Sequence, residues 1–146
     1  TVRIISGLYG IIKPLDLIQP YRLEMGTKLS FDSNKNLYDY WREKITNQLN
    51  SELSENEPVL NLASNEYFKA VDSKVLKSDI YSVNFKQLKD DKYKTIAIFS
   101  KKARGLMTRY IIENNISDIS SLKSFNYDGY VYHKNLSSER EMIFTR

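Results

Sequence analysis

"YKTIAIFSKKARGLMTRYIIENN", residues 93–115, is the stretch on which the reading of the fold turns. Residues 93–100 form a short apolar run of the kind that a buried strand shows. From residue 101 the period changes. At 100° per residue Ala103, Leu106, Met107 and Tyr110 fall on one side of a helix, the side expected to pack on a core. Ser100 stands at the junction, where its hydroxyl can cap the helix start. The same grammar occurs in "PVLNLASNEYFKAV", residues 58–71, with Ser64 or Asn65 as cap between strand and helix. If the two strand-like runs are parallel neighbours, both junctions open at one end of the sheet. That end is where open α/β sheets bind ligands.

Outward from these units, "NLYDYWREKITNQLNSEL", residues 36–53, repeats Trp41, Ile45, Leu49 and Leu53 every four residues, with Tyr38 one turn before. This spacing predicts an amphipathic helix capped by Asn36. "RIISGLYGIIKPLDLIQPYRLEMG", residues 3–26, is broken by Gly7, Gly10, Pro14, Pro20 and Gly26, and reads as a short strand followed by an irregular apolar segment. A short helix is expected near 72–77 and a strand over 79–85. A short helical turn follows at 117–125. The runs 129–134 and 141–146 read as strands joined by the polar "NLSSER". Alternating strands and helices followed by a hairpin give an α/β or α+β domain on a mixed sheet. The 146 residues, 41% of them hydrophobic, suit a single domain over 1–146.

Composition removes several chemistries. There is no cysteine, so disulfides, thiol nucleophiles, thiolate metal sites and iron–sulfur clusters are excluded for this chain. His133 is the only histidine and lies in a strand-like run, which favours a structural role; no metal site and no cofactor are expected. No phosphate-binding glycine loop, dinucleotide fingerprint or nucleophile elbow is present. No apolar run is long enough for a membrane span, and no signal pattern opens the chain, so a cytoplasmic protein without membrane contact is expected. The formal charge of +4 and pI near 9.1 favour partners that carry phosphate.

The basic residues after residue 100 sharpen that expectation. Lys101, Lys102, Arg104 and Arg109 lie on the arc opposite the core side, with Gly105 near its middle, where the missing side chain would let another backbone approach. Lys101 and Lys102 in a first helical turn oppose the helix dipole, a conflict that a bound anion would relieve; solvation or a flanking carboxylate would serve as well. Glu66, early in its own helix, is either a general acid or base or a residue that stabilises that helix. In "QPYRLEMG" Arg22 and Glu24 share one side of an extended segment beside Tyr21 and are positioned to pair, and shaped loops of this kind often bind ligands.

The runs "SGLYGIIKPLDLIQPYRLEMG", "LYDYWREKITNQLN", "NLASNEYFKAV", "SKKARGLMTRYIIEN" and "FNYDGYVYHKNLSSEREMIFTR" resemble those of the bacterial YaaA family of peroxide-stress proteins. The resemblance covers essentially the whole chain and places it as the C-terminal portion of a family member. It implies an unusual α/β fold, an intracellular role in limiting damage from hydrogen peroxide and free iron, and a positively charged cleft that binds DNA. The family's helix-hairpin-helix element is not visible here and is expected N-terminal to these residues. The cleft carries over onto Arg22, Lys69, Lys101, Lys102, Arg104 and Arg109, with Ser100 beside them and Tyr21, Glu24, Ser64 and Asn65 as polar neighbours. The function expected is backbone-directed DNA binding that prefers structure over sequence and affects iron indirectly. The alternative is an enzyme acting on a nucleoside, nucleotide or nucleic-acid base, with Glu66 as its candidate catalytic group.

Overall fold

Glycine makes the first element possible. Ile4–Ser6 (β1) and Gly10–Ile12 (β2) pair antiparallel, with Ile5 opposite Ile11 and Ser6 opposite Gly10. Gly10 has φ +75°, and a Cβ there would lie 2.5 Å from Cζ3 of Trp41. A Cβ on Gly7 would lie 2.5 Å from the Leu23 carbonyl oxygen. The hairpin is therefore held between a helix and a loop at distances only glycine allows. Trp41 locks the arrangement by donating its indole N–H to the Gly7 carbonyl at 2.9 Å. In the computed structural model, which describes residues 1–146, this hairpin belongs to a unit made of Thr1–Glu57 and Ala63–Asp79. A second unit comprises Pro58–Leu62 and Ile80–Arg146.

In the first unit the expected helix is present as α1, Leu37–Glu52. Asn36 is extended and its Oδ1 accepts the Asp39 N–H at 2.9 Å, while Asp39 itself suits the positive helix start. Leu37, Ile45 and Thr46 are buried on its inner face. Thr46 Oγ1 donates to the Arg42 carbonyl and accepts the Asp72 N–H at 2.9 Å, which fixes the following chain against α1. Asn65–Phe68 (α2) is only one turn long. Residues 72–77 do not form the expected helix: Val75 and Leu76 share the Asp72 carbonyl in a single turn. The side chain of Asn50 bonds the Val75 carbonyl and the Lys77 N–H, so groups that would extend a helix are already taken.

The second unit is a mixed sheet with one long helix. Val59–Asn61 (β3), Ile80–Lys89 (β4), Val131–Tyr132 (β6) and Glu141–Thr145 (β7) lie in the order β3-β4-β7-β6, and Lys92–Lys94 (β5) folds back antiparallel on the end of β4. β3 and β7 run parallel to β4, whereas β6 closes the C-terminal hairpin antiparallel to β7. The α/β class and mixed sheet expected from the sequence are therefore present. Four consecutive residues of β7, Met142–Thr145 in sequence, are buried, as befits a strand covered on both faces. Val83, Phe85, Ala103, Met107, Phe125, Tyr130 and Phe144 are the centre of this core.

One expectation fails at an informative place. Residues 94–99 are not a strand beside β3; β4 holds that position, and the helix (α3) already starts at Ala97 and runs to Glu113. The turn at Asp90 and Asp91, both left-handed at φ 52° and 57°, folds the chain back from β4 into β5, which is only three residues long. Ile98 then stands 71% exposed, so the apolar run is not interior. Ser100 is no cap: it is buried inside α3 and donates its hydroxyl to the Phe85 carbonyl at 2.9 Å. The core side of α3 matches its sequence pattern, with Ala103 and Met107 fully buried and Leu106 and Tyr110 packed beside them.

Gly10→Ala should destabilise the fold by at least about 2 kcal/mol, because it combines a left-handed backbone with a ring contact that cannot relax freely. An unchanged urea midpoint would contradict this. After α3, Asp118 accepts hydrogen bonds from the Ser120 and Ser121 hydroxyls and from the Ser121 N–H, which lower its pKa from 3.8 to about 2. A depressed carboxylate contributes stability above its unfolded pKa and loses it as pH falls through the folded one. The Ser121 amide signal should therefore shift between pH 4 and about 2 with the Asp118 carboxyl, and not at higher pH.

Candidate nucleic-acid interface

The basic arc of α3 is built by its inner face. With Ser100, Ala103 and Met107 turned inward, Lys101, Lys102, Gly105 and Arg109 are exposed. Because α3 begins at Ala97, Lys101 and Lys102 sit in its second turn, and the conflict with the helix dipole expected of a first turn does not arise. The four cations differ in how they are neutralised. Lys102 pairs with Asp128 at 3.3 Å, a carboxylate it shares with Arg146 at 2.7 Å. Arg109 pairs with Glu113 one turn on, which raises its pKa. Lys101 has no carboxylate partner.

Arg104 is the unusual member. Its guanidinium is half-buried, and burial lowers its pKa, yet it makes no ion pair. A charge withdrawn from water without an acid beside it keeps a desolvation cost that an incoming anion would offset. Beside it a Cβ on Gly105 would meet nothing within 4 Å. No part of the chain uses the close approach that this glycine allows, so the surface there is bare and low.

The other predicted residues belong to the first unit. Asn65 and Lys69 line an open cleft of about 500 Å³ with Phe68, Arg42, Asp72 and Lys74. Arg42, Lys69 and Lys74 form no ion pair, while Asp72 accepts the Lys74 backbone N–H at 3.0 Å. Arg42 and Lys74 escape a reading of the sequence because side chains of α1, Thr46 and Asn50, bring that helix to the chain after α2 through bonds to the Asp72, Val75 and Lys77 backbone, and no local spacing signals them. Arg22 and Glu24 are both exposed and do not pair with each other. Ser64 occupies the N-cap position of α2 but makes no side-chain cap bond.

Glu66 has a structural duty. Its Oε1 accepts the Gly26 N–H at 2.9 Å and holds the preceding loop, whose Met25 is fully buried. Three tyrosines gather near it. Tyr21 meets the buried Ser6 hydroxyl at 2.5 Å, and that hydroxyl also accepts the Leu8 and Tyr9 N–H groups. Tyr67 has a raised pKa, first from burial and then from Glu66, Tyr21 and Glu24; Tyr38 is raised by burial and then by Glu66. A carboxylate among tyrosines is suited to holding protons on phenols rather than to binding anions. His133 packs edge-on against Tyr93, and no three His, Asp or Glu side chains gather into a metal-binding group.

The structure thus defines an α/β protein whose two units each carry cations left without acidic partners. The chain belongs to a family described as "Peroxide stress protein YaaA", whose model matches residues 1–136. It is 57% identical over 145 residues to a UPF0246 protein of Flavobacterium psychrophilum, covering 99% of this chain and 58% of that relative. A UPF0246 protein of Flavobacterium johnsoniae is 54% identical over 145 residues, and one of Saccharophagus degradans is 54% identical over 147. Those matches cover 99% of this chain and 58% and 57% of the relatives. The chain therefore spans somewhat over half the length of these relatives. No helix is long and apolar enough to cross a membrane.

A raised tyrosine pKa means stability that is present below pH 10 and is lost as pH rises through the folded value. Glu66→Gln should lower the titration points of Tyr38 and Tyr67 toward 10 without abolishing the part due to burial. Ring-carbon NMR of the tyrosines reads this directly, and unmoved titrations would remove Glu66 as a cause.

Proposed function

We propose that this protein binds DNA through the sugar–phosphate backbone as part of the peroxide stress response, acting in the cytoplasm and limiting iron damage indirectly. Arg104 carries the reading: a half-buried guanidinium without an acidic partner is suited to a phosphate oxygen. Lys101 supplies a second free charge, and the bare surface at Gly105 leaves room for the strand between them. In the first unit, the unpaired Arg42, Lys69 and Lys74 are suited to the same chemistry. The exposed side of α3 offers no Asn or Gln, the side chains that read adenine in a groove. Phosphate contacts position a protein without conveying sequence, so recognition of DNA shape follows.

The expected behaviour is salt-sensitive binding of a duplex, and of the same duplex with a bulge, at similar affinity across sequences. Lys101→Ala/Lys102→Ala/Arg104→Ala should weaken binding about tenfold or more and reduce the log–log salt slope by about 2. Fluorescence anisotropy at several salt concentrations measures both. Unchanged affinity and slope in a variant that remains folded would remove α3 from the interface.

A further inference from the structure

The first unit has a second pocket that no part of the DNA reading uses. It lies between the β1–β2 hairpin and α1, encloses about 360 Å³, and is lined by Tyr9, Ile11, Lys13, Trp41, Ile45 and the Arg3–Glu52 pair. That volume is within the usual range for small-molecule sites, about 300–1,000 Å³. We propose that this pocket binds one nucleotide unit, with its base against Trp41 and Tyr9 and its phosphate at Lys13.

Charge decides for an anion. Glu52 is saturated: Oε2 accepts from Arg3 at 2.5 Å and Oε1 from Gln48 at 2.6 Å. Gln48's hydrogen bond, and then Arg3 and Lys13, hold its carboxyl below the usual range against the opposing effect of burial. The other acid, Asp16, accepts the Lys13 backbone N–H at 2.7 Å. Lys44 lies over the Tyr40 ring at 4.0 Å and donates to the Tyr40 carbonyl. Both carboxylates and two of the three cations thus have partners within the chain. The Lys13 ammonium acts on Glu52 only at a distance and makes no ion pair, and the three cations of the lining outnumber its two carboxylates, so the net charge offered to a ligand is positive.

The aromatic lining favours a flat ring. Trp41 cannot swing away, because its indole N–H is bonded to Gly7 and its six-membered ring presses on Gly10. Tyr9 is fixed as well, its hydroxyl accepting the Gln19 N–H at 3.0 Å and its ring meeting Tyr21 edge-on at 5.4 Å. Rigid aromatic walls stack on any base without losing side-chain freedom. Apolar Ile11, Ile12 and Ile45 complete the wall, which suits a heterocycle better than a bare sugar phosphate. A free nucleoside monophosphate and an unstacked nucleotide at a strand end present the same base and phosphate.

Trp41 is the only tryptophan, so its emission reports occupancy of this pocket. The chain should be titrated with AMP, CMP, a dinucleotide, adenosine, ribose 5-phosphate and inorganic phosphate. Saturable quenching is expected from AMP or CMP or from the dinucleotide. Adenosine should bind about tenfold more weakly, and ribose 5-phosphate should produce no saturable change. Tighter binding of the mononucleotide would assign the site to a free nucleotide, and tighter binding of the dinucleotide would assign it to a strand end. Lys13→Glu should weaken binding about tenfold or more with an unchanged thermal midpoint, whereas Arg104→Ala should leave it intact, which separates this site from the α3 interface. Absence of saturable quenching by every nucleotide at millimolar concentration, equal responses to ribose 5-phosphate and inorganic phosphate, or undiminished binding by Lys13→Glu would each overturn the proposal.

Discussion

Phe85 and Phe144 occupy partnered positions on the two parallel central strands and lie ring over ring at 5.5 Å. Tyr130 and Phe125 meet Phe85 edge-on at 5.0 and 5.9 Å, so one aromatic group binds both strands, the C-terminal hairpin and the turns after α3. The backbone beneath Phe85 sets the helix as well, since its carbonyl accepts the buried Ser100 hydroxyl. That bond, together with Ala103 and Met107 against the core, fixes the rotation of α3 about its own axis. The direction in which Lys101 and Gly105 face is thus decided by packing on the opposite side.

In the first unit glycine has the corresponding role. Gly7 and Gly10 let the hairpin lie against the Leu23 backbone and the Trp41 ring, and Glu66 ties Gly26 to α2. The long proline-containing segment needs such fastening because it has no regular backbone ladder of its own. Its only fully buried side chain is Met25, whereas Leu15 and Leu17 are almost wholly exposed. Fastening at a few points leaves most of the segment on the surface.

How much of this was legible in the sequence depends on whether the deciding contacts are local. Asn36 and the four-residue period of α1 announce that helix, and the apolar run of β7 and the polar link before it announce the C-terminal hairpin. The basic arc of α3 also follows from spacing alone. The start of α3 does not, because Thr95, Ile96, Ile98 and Phe99 favour strands and only the Ser100–Phe85 bond reveals the helical turn. Site details fail for the same reason. The partner of Lys102 is Asp128, held left-handed at φ 56° in a distant turn, and nothing adjacent in sequence signals it. Arg22 and Glu24 are spaced to pair, but the folded loop leaves them apart.

The outer strands of the mixed sheet are short: β3 has three residues, β6 has two, and the added β5 has three. An extended chain that docks on a sheet edge gains affinity from a row of main-chain hydrogen bonds, and so few residues supply only a weak template. The sheet is thereby poorly suited to recruiting another strand, whether from a second copy or from a foreign peptide. The surface this unit offers is therefore one of side chains, above all those of the helix laid across the sheet, and its exposed charges can change without disturbing the backbone pairing underneath.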